Sequence, residues 1–170
     1  MNIFITSGTY DFLQKIKEKH PHEKMVLMEN AEGAALLHES EKKTIFNSPR
    51  KYEVIDAFGE LADRGYVVCN NIPVTDEGRP VFEYRFKNRA RAIESVPGFI
   101  AIRVLRPLNS STYIILTQWK DQNSFNGWKN SQAYHKAHEK RGTADGIDQQ
   151  PKIFASPSYV TAYTVPSEED

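Results

Sequence analysis

From Gly65 onward, apolar and polar positions switch between two periods. "GYVVCNNIPV" (65–74) is rich in β-branched residues and closes in turn formers, which predicts a strand. "GRPVFEYRFKNRARAIESV" (78–96) sets apolar residues at 82, 86, 90 and 93 between charged flanks, with Pro80 near its start, and predicts a helix. Pro97-Gly98 breaks it. "FIAIRVLRPL" (99–108) and "TYIILTQWK" (112–120) then predict two strands joined through Asn109-Ser110-Ser111. "FNGWKNSQAYHKAH" (125–138) reads as a helical region and "RGTADGIDQQPK" (141–152) as a Gly- and Asp-rich loop. "IFASPSYVTAYTV" (153–165) predicts a last strand, and "PSEED" an acidic, frayed tail.

The order β-α-β-β-α-β is the ferredoxin-like split plan, whose two helices cover one face of an antiparallel sheet and leave the other face to be buried elsewhere. The first sixty-five residues offer a cover. "NIFITSG" (2–8) reads as a strand, "YDFLQKIKEKH" (10–20) as a short helix, and "KMVLMEN" with "AALLHES" (24–40) as a hairpin. "KTIFNSPRKYEVIDAFGEL" (43–61) reads as a further strand leading into a connector. Ile-Phe-x-Ser-Pro recurs at 45–49 and 153–157, each time before a Tyr- and Val-bearing strand. This echo marks residues 1–65 as a degenerate ferredoxin-like half without its second helix, and 66–170 as the complete unit. The expected fold is therefore α+β, of the dimeric α/β-barrel type. In it the two halves pack sheet to sheet, so that a monomer imitates a dimer.

Charge removes some functions. Lys+Arg and Asp+Glu both number 22, so no net field draws the chain to nucleic acid or an anionic membrane. The basic stretch "RFKNRAR" (85–91) fits the wet side of a helix. The lone Cys69 excludes an internal disulfide and suits a reducing compartment as a buried filler. With no leader-like N-terminus and no apolar run long enough for a membrane span, a cytoplasmic location is expected. His20-Pro21-His22 lacks a third ligand and reads as a loop, and His38 ends a strand.

Both tryptophans and two of five histidines fall within residues 119–138. On a straight helix turning about 100° per residue, Trp128 and His135 nearly eclipse, whereas His138 lies about 80° away. A bend at Asn130-Ser131, both good cap residues, instead puts Tyr134 and His138 on one face with Ser131. The spacing leaves the two geometries open. Trp119, on the preceding strand, reads as core.

The run "ILTQWKDQNSFNGWKNSQAYHKAH" (115–138) resembles the corresponding run of the IsdG-type haem-degrading monooxygenases, members of the antibiotic-biosynthesis-monooxygenase superfamily. That pattern is a strand ending in Trp-Lys, then Phe-x-x-Trp, a Ser, an aromatic residue, and Ala-His ten residues after the second Trp. "VVCNNIPVTDEG" (67–78) is similar to the family's N-terminal strand, in which an Asn precedes a Thr by five residues, as Asn70 precedes Thr75. The resemblance covers about residues 66–165, and with its added N-terminal portion the chain is most similar to a Bacillus-type member.

The resemblance implies a functional trio. His138 would be the axial ligand of haem iron through a neutral imidazole nitrogen, and Trp128 would press on and ruffle the porphyrin. Asn70 would hydrogen-bond on the distal side. Haem would be both cofactor and substrate, with O2 and an external electron donor such as an NAD(P)H-dependent reductase completing the reaction. A bilin-type product and iron would leave. The residue types suit these roles, since indole is the largest rigid apolar neighbour and an amide donates a hydrogen bond without delivering a proton. Two other outcomes fit the same residues: a haem-binding or transfer protein that leaves the ring intact, and a cofactor-free monooxygenase of small aromatic substrates. The chain departs from the family in its N-terminal half, which has Asn30 but no tryptophan.

Overall fold

Eight strands, each with one face apolar, can bury those faces together only by closing on themselves. The computed structural model describes residues 1–89, 91–131 and 153–167. Among them the strands are β1 (Asn2–Gly8), β2 (Lys24–Asn30), β3 (Gly33–Ser40), β4 (Arg50–Gly59), β5 (Gly65–Pro73), β6 (Phe99–Pro107), β7 (Thr112–Trp119) and β8 (Tyr159–Val165). They close into a barrel in the order β1-β3-β2-β8-β5-β7-β6-β4. The helices are α1 (Tyr10–Lys19), α2 (Arg79–Lys87) and α3 (Gln122–Lys129), with a 3-10 turn at Ala92–Ser95.

Within this ring both halves repeat one sheet order, β4-β1-β3-β2 and β8-β5-β7-β6. This is the expected pair of ferredoxin-like units in one chain. Their sheets turn their inner faces toward one shared interior, as expected, and their edges also pair, which closes the ring. The physical reason is shared burial. All eight strands send residues into one interior cluster that includes Ile5, Met28, Leu37, Tyr52, Cys69, Leu105, Leu116 and Val165. Each such side chain contributes about 1.5–3 kcal/mol on burial. The two seams are unequal. β4 pairs with β6 from Tyr52 opposite Pro107 to Gly59 opposite Ala101, whereas β2 meets β8 in register only at Glu29 opposite Thr164. There Asn30 adds a side-chain bond from Nδ2 to the Ala162 carbonyl (3.1 Å).

Local signals set the element ends. Thr9 caps α1 by accepting from the Phe12 amide (3.3 Å), and Asp121 caps α3 by accepting from the Ser124 amide (2.8 Å). The predicted helix over 78–96 is instead two pieces, because the chain leaves the helix at Asn88. Arg89 turns back to Asp56 (2.9 Å) and Glu94 (2.8 Å). β4 starts at Arg50 rather than Lys43, since Ser48 takes a positive φ of 49° that interrupts any strand. β8 starts at Tyr159, beyond Pro157, and Phe154 makes an isolated bridge to Val74. The echoed Ile-Phe-x-Ser-Pro thus precedes the fourth strand in both units. No helix among the described residues is long and apolar enough to cross a membrane.

The outer faces differ between units. The N-terminal sheet is closed by Leu13 of α1 and by Phe46 from the segment that stands where a second helix would run. His38, expected at a strand end, is fully buried there between Phe4 and Phe46, with Nε2 3.0 Å from Glu23 Oε2. The C-terminal sheet carries two separate outer clusters, one under α2 and one under α3.

Candidate functional site

β5 alternates between the barrel interior and the helix-bearing face, and this sorts the two adjacent asparagines. Val67 and Cys69 belong to the interior cluster, Val68 to the outer cluster under α3, and Ile72 to that under α2. Asn70 therefore faces outward between the two outer clusters, and Asn71 faces inward. Asn71 is 3% exposed, and its Nδ2 donates to the Cys69 carbonyl (3.2 Å), the Tyr159 carbonyl (3.2 Å) and Thr161 Oγ1 (3.1 Å). Asn70 is half-buried, and among the described residues its side chain makes no hydrogen bond.

Strand register builds the floor around Asn70. One row reads Ile115–Asn70–Val160, the next Thr117–Val68–Ala162, and a third Trp119–Tyr66–Thr164. Neighbours in a row are about 4.8 Å apart, and Asn70 lies about 13 Å along β5 from the Tyr66 row. Val160 is 63% exposed. The floor is an apolar surface about the length of a flat macrocycle, with the Asn70 amide set in it.

Trp128 stands at the far end. α3 lies on the sheet through Phe125 and Trp128, which pack with Trp119, Tyr66, Phe99 and Ile93. The indoles of Trp119 and Trp128 are 5.8 Å apart at 31°, and Trp119 meets Phe99 and Phe125 edge-on at 5.6 and 5.8 Å. Such aromatic pairs are each worth about 0.5–1.5 kcal/mol beyond burial. Trp119 is fully buried, as its position on β7 implied. Gly98, at φ 86°, lets α3 approach: a Cβ there would lie 2.1 Å from Ser124 Oγ. Beyond α3 an open cleft of about 510 Å³ is lined by Val96, Pro97, Asn123, Gly127, Trp128 and Ser131.

α3 ends at Lys129. The Asn130 amide returns to the Asn126 carbonyl (3.1 Å), and the Ser131 amide to that of Trp128 (2.9 Å). The straight helix that favoured His135 is therefore interrupted. His135 and His138 both lie outside the described residues, as do the loop and tail readings at 141–152 and 168–170. Among the described residues no cluster of His, Cys, Asp and Glu is arranged to hold a bare metal ion. Thr75 does not face the floor; its Oγ1 accepts from the Gly78 amide (3.0 Å) and donates to the Ile153 carbonyl (3.2 Å).

Among the described residues a charged cluster lies by α2. Arg106 pairs with Glu53 and Glu83, and the Tyr113 hydroxyl donates to Glu83. The Arg106 guanidinium, with the Tyr113 hydroxyl, holds the Glu83 carboxyl below the usual carboxylate range. Burial, reinforced by Glu83, pushes the Tyr113 phenol up. Burial raises the Cys69 thiol to about 12. The Ser124 hydroxyl and amide lower Asp121. Sequence reasoning missed Thr117, whose Oγ1 accepts from Trp119 Nε1–H at 2.9 Å. Spacing puts the two on one face, since they lie two apart on a strand, but the bond itself depends on the side-chain rotamers.

Residues 65–140 match the family described as antibiotic biosynthesis monooxygenase. The chain is 26% identical over 140 residues to a Staphylococcus epidermidis protein named signal transduction protein TRAP, covering 82% of this chain and 84% of that one. It is 25% identical over 129 residues to a protein of Listeria monocytogenes named heme-degrading monooxygenase, covering 76% and 77%. A solved structure described as a major regulator of staphylococcal pathogenesis superposes with a TM-score of 0.85 at 23% identity, over 98% of this chain and 100% of that one.

Proposed function

We propose that the protein, whose residues 65–140 match the family described as antibiotic biosynthesis monooxygenase, is a haem-degrading monooxygenase. It takes haem on the outer face of the C-terminal sheet, consumes O2 and electrons from a reductase, and releases iron and a bilin-type product. The observation that carries the reading is Asn70, a half-buried amide without a hydrogen-bond partner among the described residues, set in an apolar floor that runs to the packed Trp119–Trp128 indole pair. The similarity to the Listeria protein named heme-degrading monooxygenase supports it.

The residues suit a flat tetrapyrrole. The row Ile115–Asn70–Val160 and its neighbour Thr117–Val68–Ala162 offer van der Waals contact and exclude water from one ring face. The Trp128 indole, backed by Trp119, presses on that ring from the α3 side and resists being pushed away. The Asn70 Nδ2–H groups donate into the space above the floor, where a small polar ligand is held without a proton being given up. His138 would supply an imidazole nitrogen to the iron. Bound haem brings the redox-active iron and the ring that is opened, and the chain contributes orientation, distortion and dryness.

The test is a titration with ferric haem followed by ascorbate in air. A Soret band should grow and then fade as the ring opens. His138→Ala should lose the axial-ligand signature, and His135→Ala should keep it. A protein that binds no haem would sink the proposal and favour cofactor-free oxygenation of small aromatics. A second reading, haem binding without ring opening, draws on the 26% identity to a protein named for signal transduction rather than catalysis. A Soret band that survives reductant and air would favour it.

A further inference from the structure

Trp128 owes its orientation to a neighbour that the proposed reaction does not itself use. Trp119 lies beneath it, fully buried, with its ring plane fixed from two directions. Along β7 its Nε1–H donates to Thr117 Oγ1 at 2.9 Å. Across the cluster, Phe99 meets it at 81° and Phe125 at 61°. Trp128 meets it instead nearly face on, at 5.8 Å and 31°.

We infer that Thr117 and Trp119 are positioning residues, and that the Thr117–Trp119 hydrogen bond sets the tilt of the Trp128 indole toward the floor that holds Asn70. The inference rests on the proposed function for its catalytic meaning, although the tilt itself is a property of the protein alone. Without an acceptor at 117, a buried indole N–H is left unpaired, and Trp119 gains by rotating toward another partner. Trp128 leans on its face and moves with it. The effect is on geometry, since Thr117 is buried and its hydroxyl is engaged by the Trp119 N–H.

The chain has two tryptophans, 119 and 128, so any exciton coupling between indoles reports this pair alone. Far-ultraviolet circular dichroism of the wild type should show the bisignate band of coupled indoles, and Trp119→Phe and Trp128→Phe should each abolish it. Thr117→Val keeps the side-chain shape and removes the acceptor. It should change the sign pattern or at least halve the amplitude, and Thr117→Ser should restore it. Should the valine variant fail to fold, Thr117→Ala takes its place in the same comparison.

With ferric haem added, resonance Raman bands for out-of-plane ring distortion should weaken in Thr117→Val and recover in Thr117→Ser. Ring opening should slow by about tenfold, as small misplacements do. A wild-type couplet that is identical in Thr117→Val, or one that Thr117→Ser fails to restore, overturns the inference. A wild type that binds no haem refutes the proposed function only, and the couplet still decides whether Thr117 orients the indole pair.

Discussion

Asn70 and Asn71 are neighbours of identical chemistry with opposite surroundings, and exchanging each for alanine should separate stability from reactivity. The Asn71 amide has two N–H groups engaged among three interior acceptors, the Cys69 and Tyr159 carbonyls and Thr161 Oγ1, at 3.1–3.2 Å. Two hydrogen bonds at about 0.5–1.5 kcal/mol each, with a small cavity added, put the cost of Asn71→Ala at about 2–3 kcal/mol. For a chain of this size that lowers Tm by about 4–12 °C. Asn70 is half-buried and makes no hydrogen bond among the described residues, so Asn70→Ala should stay within about 0.5 kcal/mol of wild type. Thermal and urea unfolding measure both, alongside haem loss under ascorbate and air. Asn70→Ala should unfold like wild type and degrade haem slowly or to different products. Asn71→Ala should melt early and, below its transition, react normally. The reverse pattern, with Asn70→Ala the less stable protein, would refute the assignment of the two faces.

Two further outcomes follow from perturbed groups. The folded state holds Glu83 below its unfolded pKa, so its contribution is complete above the ordinary carboxylate range and lost as pH falls through the depressed value. The urea midpoint of Glu83→Gln should therefore lie below wild type at pH 7, with the gap closing on acidification below about pH 4.5; a gap that widens instead would contradict the pairing with Arg106. Cys69, with its thiol raised to about 12 inside the barrel, should react with an aromatic disulfide reagent only as fast as the protein unfolds, and fast labelling of native protein would show the interior to be open.

Much of the fold was legible because the strand signals are local. "NIFITSG" and "KMVLMEN" match β1 and β2 residue for residue, since alternation and turn formers bound them. Where a boundary depended on backbone geometry it was missed: Ser48 at positive φ delays β4, and the bulge between Val54 and Asp56 turns Ile55 and Asp56 both outward, where Asp56 meets Arg89. The packing of the two units on each other was expected, but no residue pattern states which edges will meet. Buried polar groups hid for the same reason. Arg103 and Glu39 form a shielded ion pair at 2.7 Å across the barrel, and Gln118 holds the inter-unit connector at Ala62 and Arg64. At the site, alternation along β5 put Asn70 and Asn71 on opposite faces, but which of them faces the interior required the burial of their neighbours. The depth of Trp119 followed from its strand, but its bond to Thr117 required a side-chain rotamer that spacing does not supply.

The unequal seams make the barrel resemble a cuff with one long weld and one small clasp. Breathing should begin at the clasp, with amides of β2 and β8 exchanging with deuterium before those of β4 and β6. β8 also supplies Val160 and Ala162 to the floor beside Asn70. A latch that slackens there would loosen one wall of that floor while the rest of the ring stays shut, placing the softest part of the molecule beside the surface proposed to admit a rigid, flat guest and release a broken one.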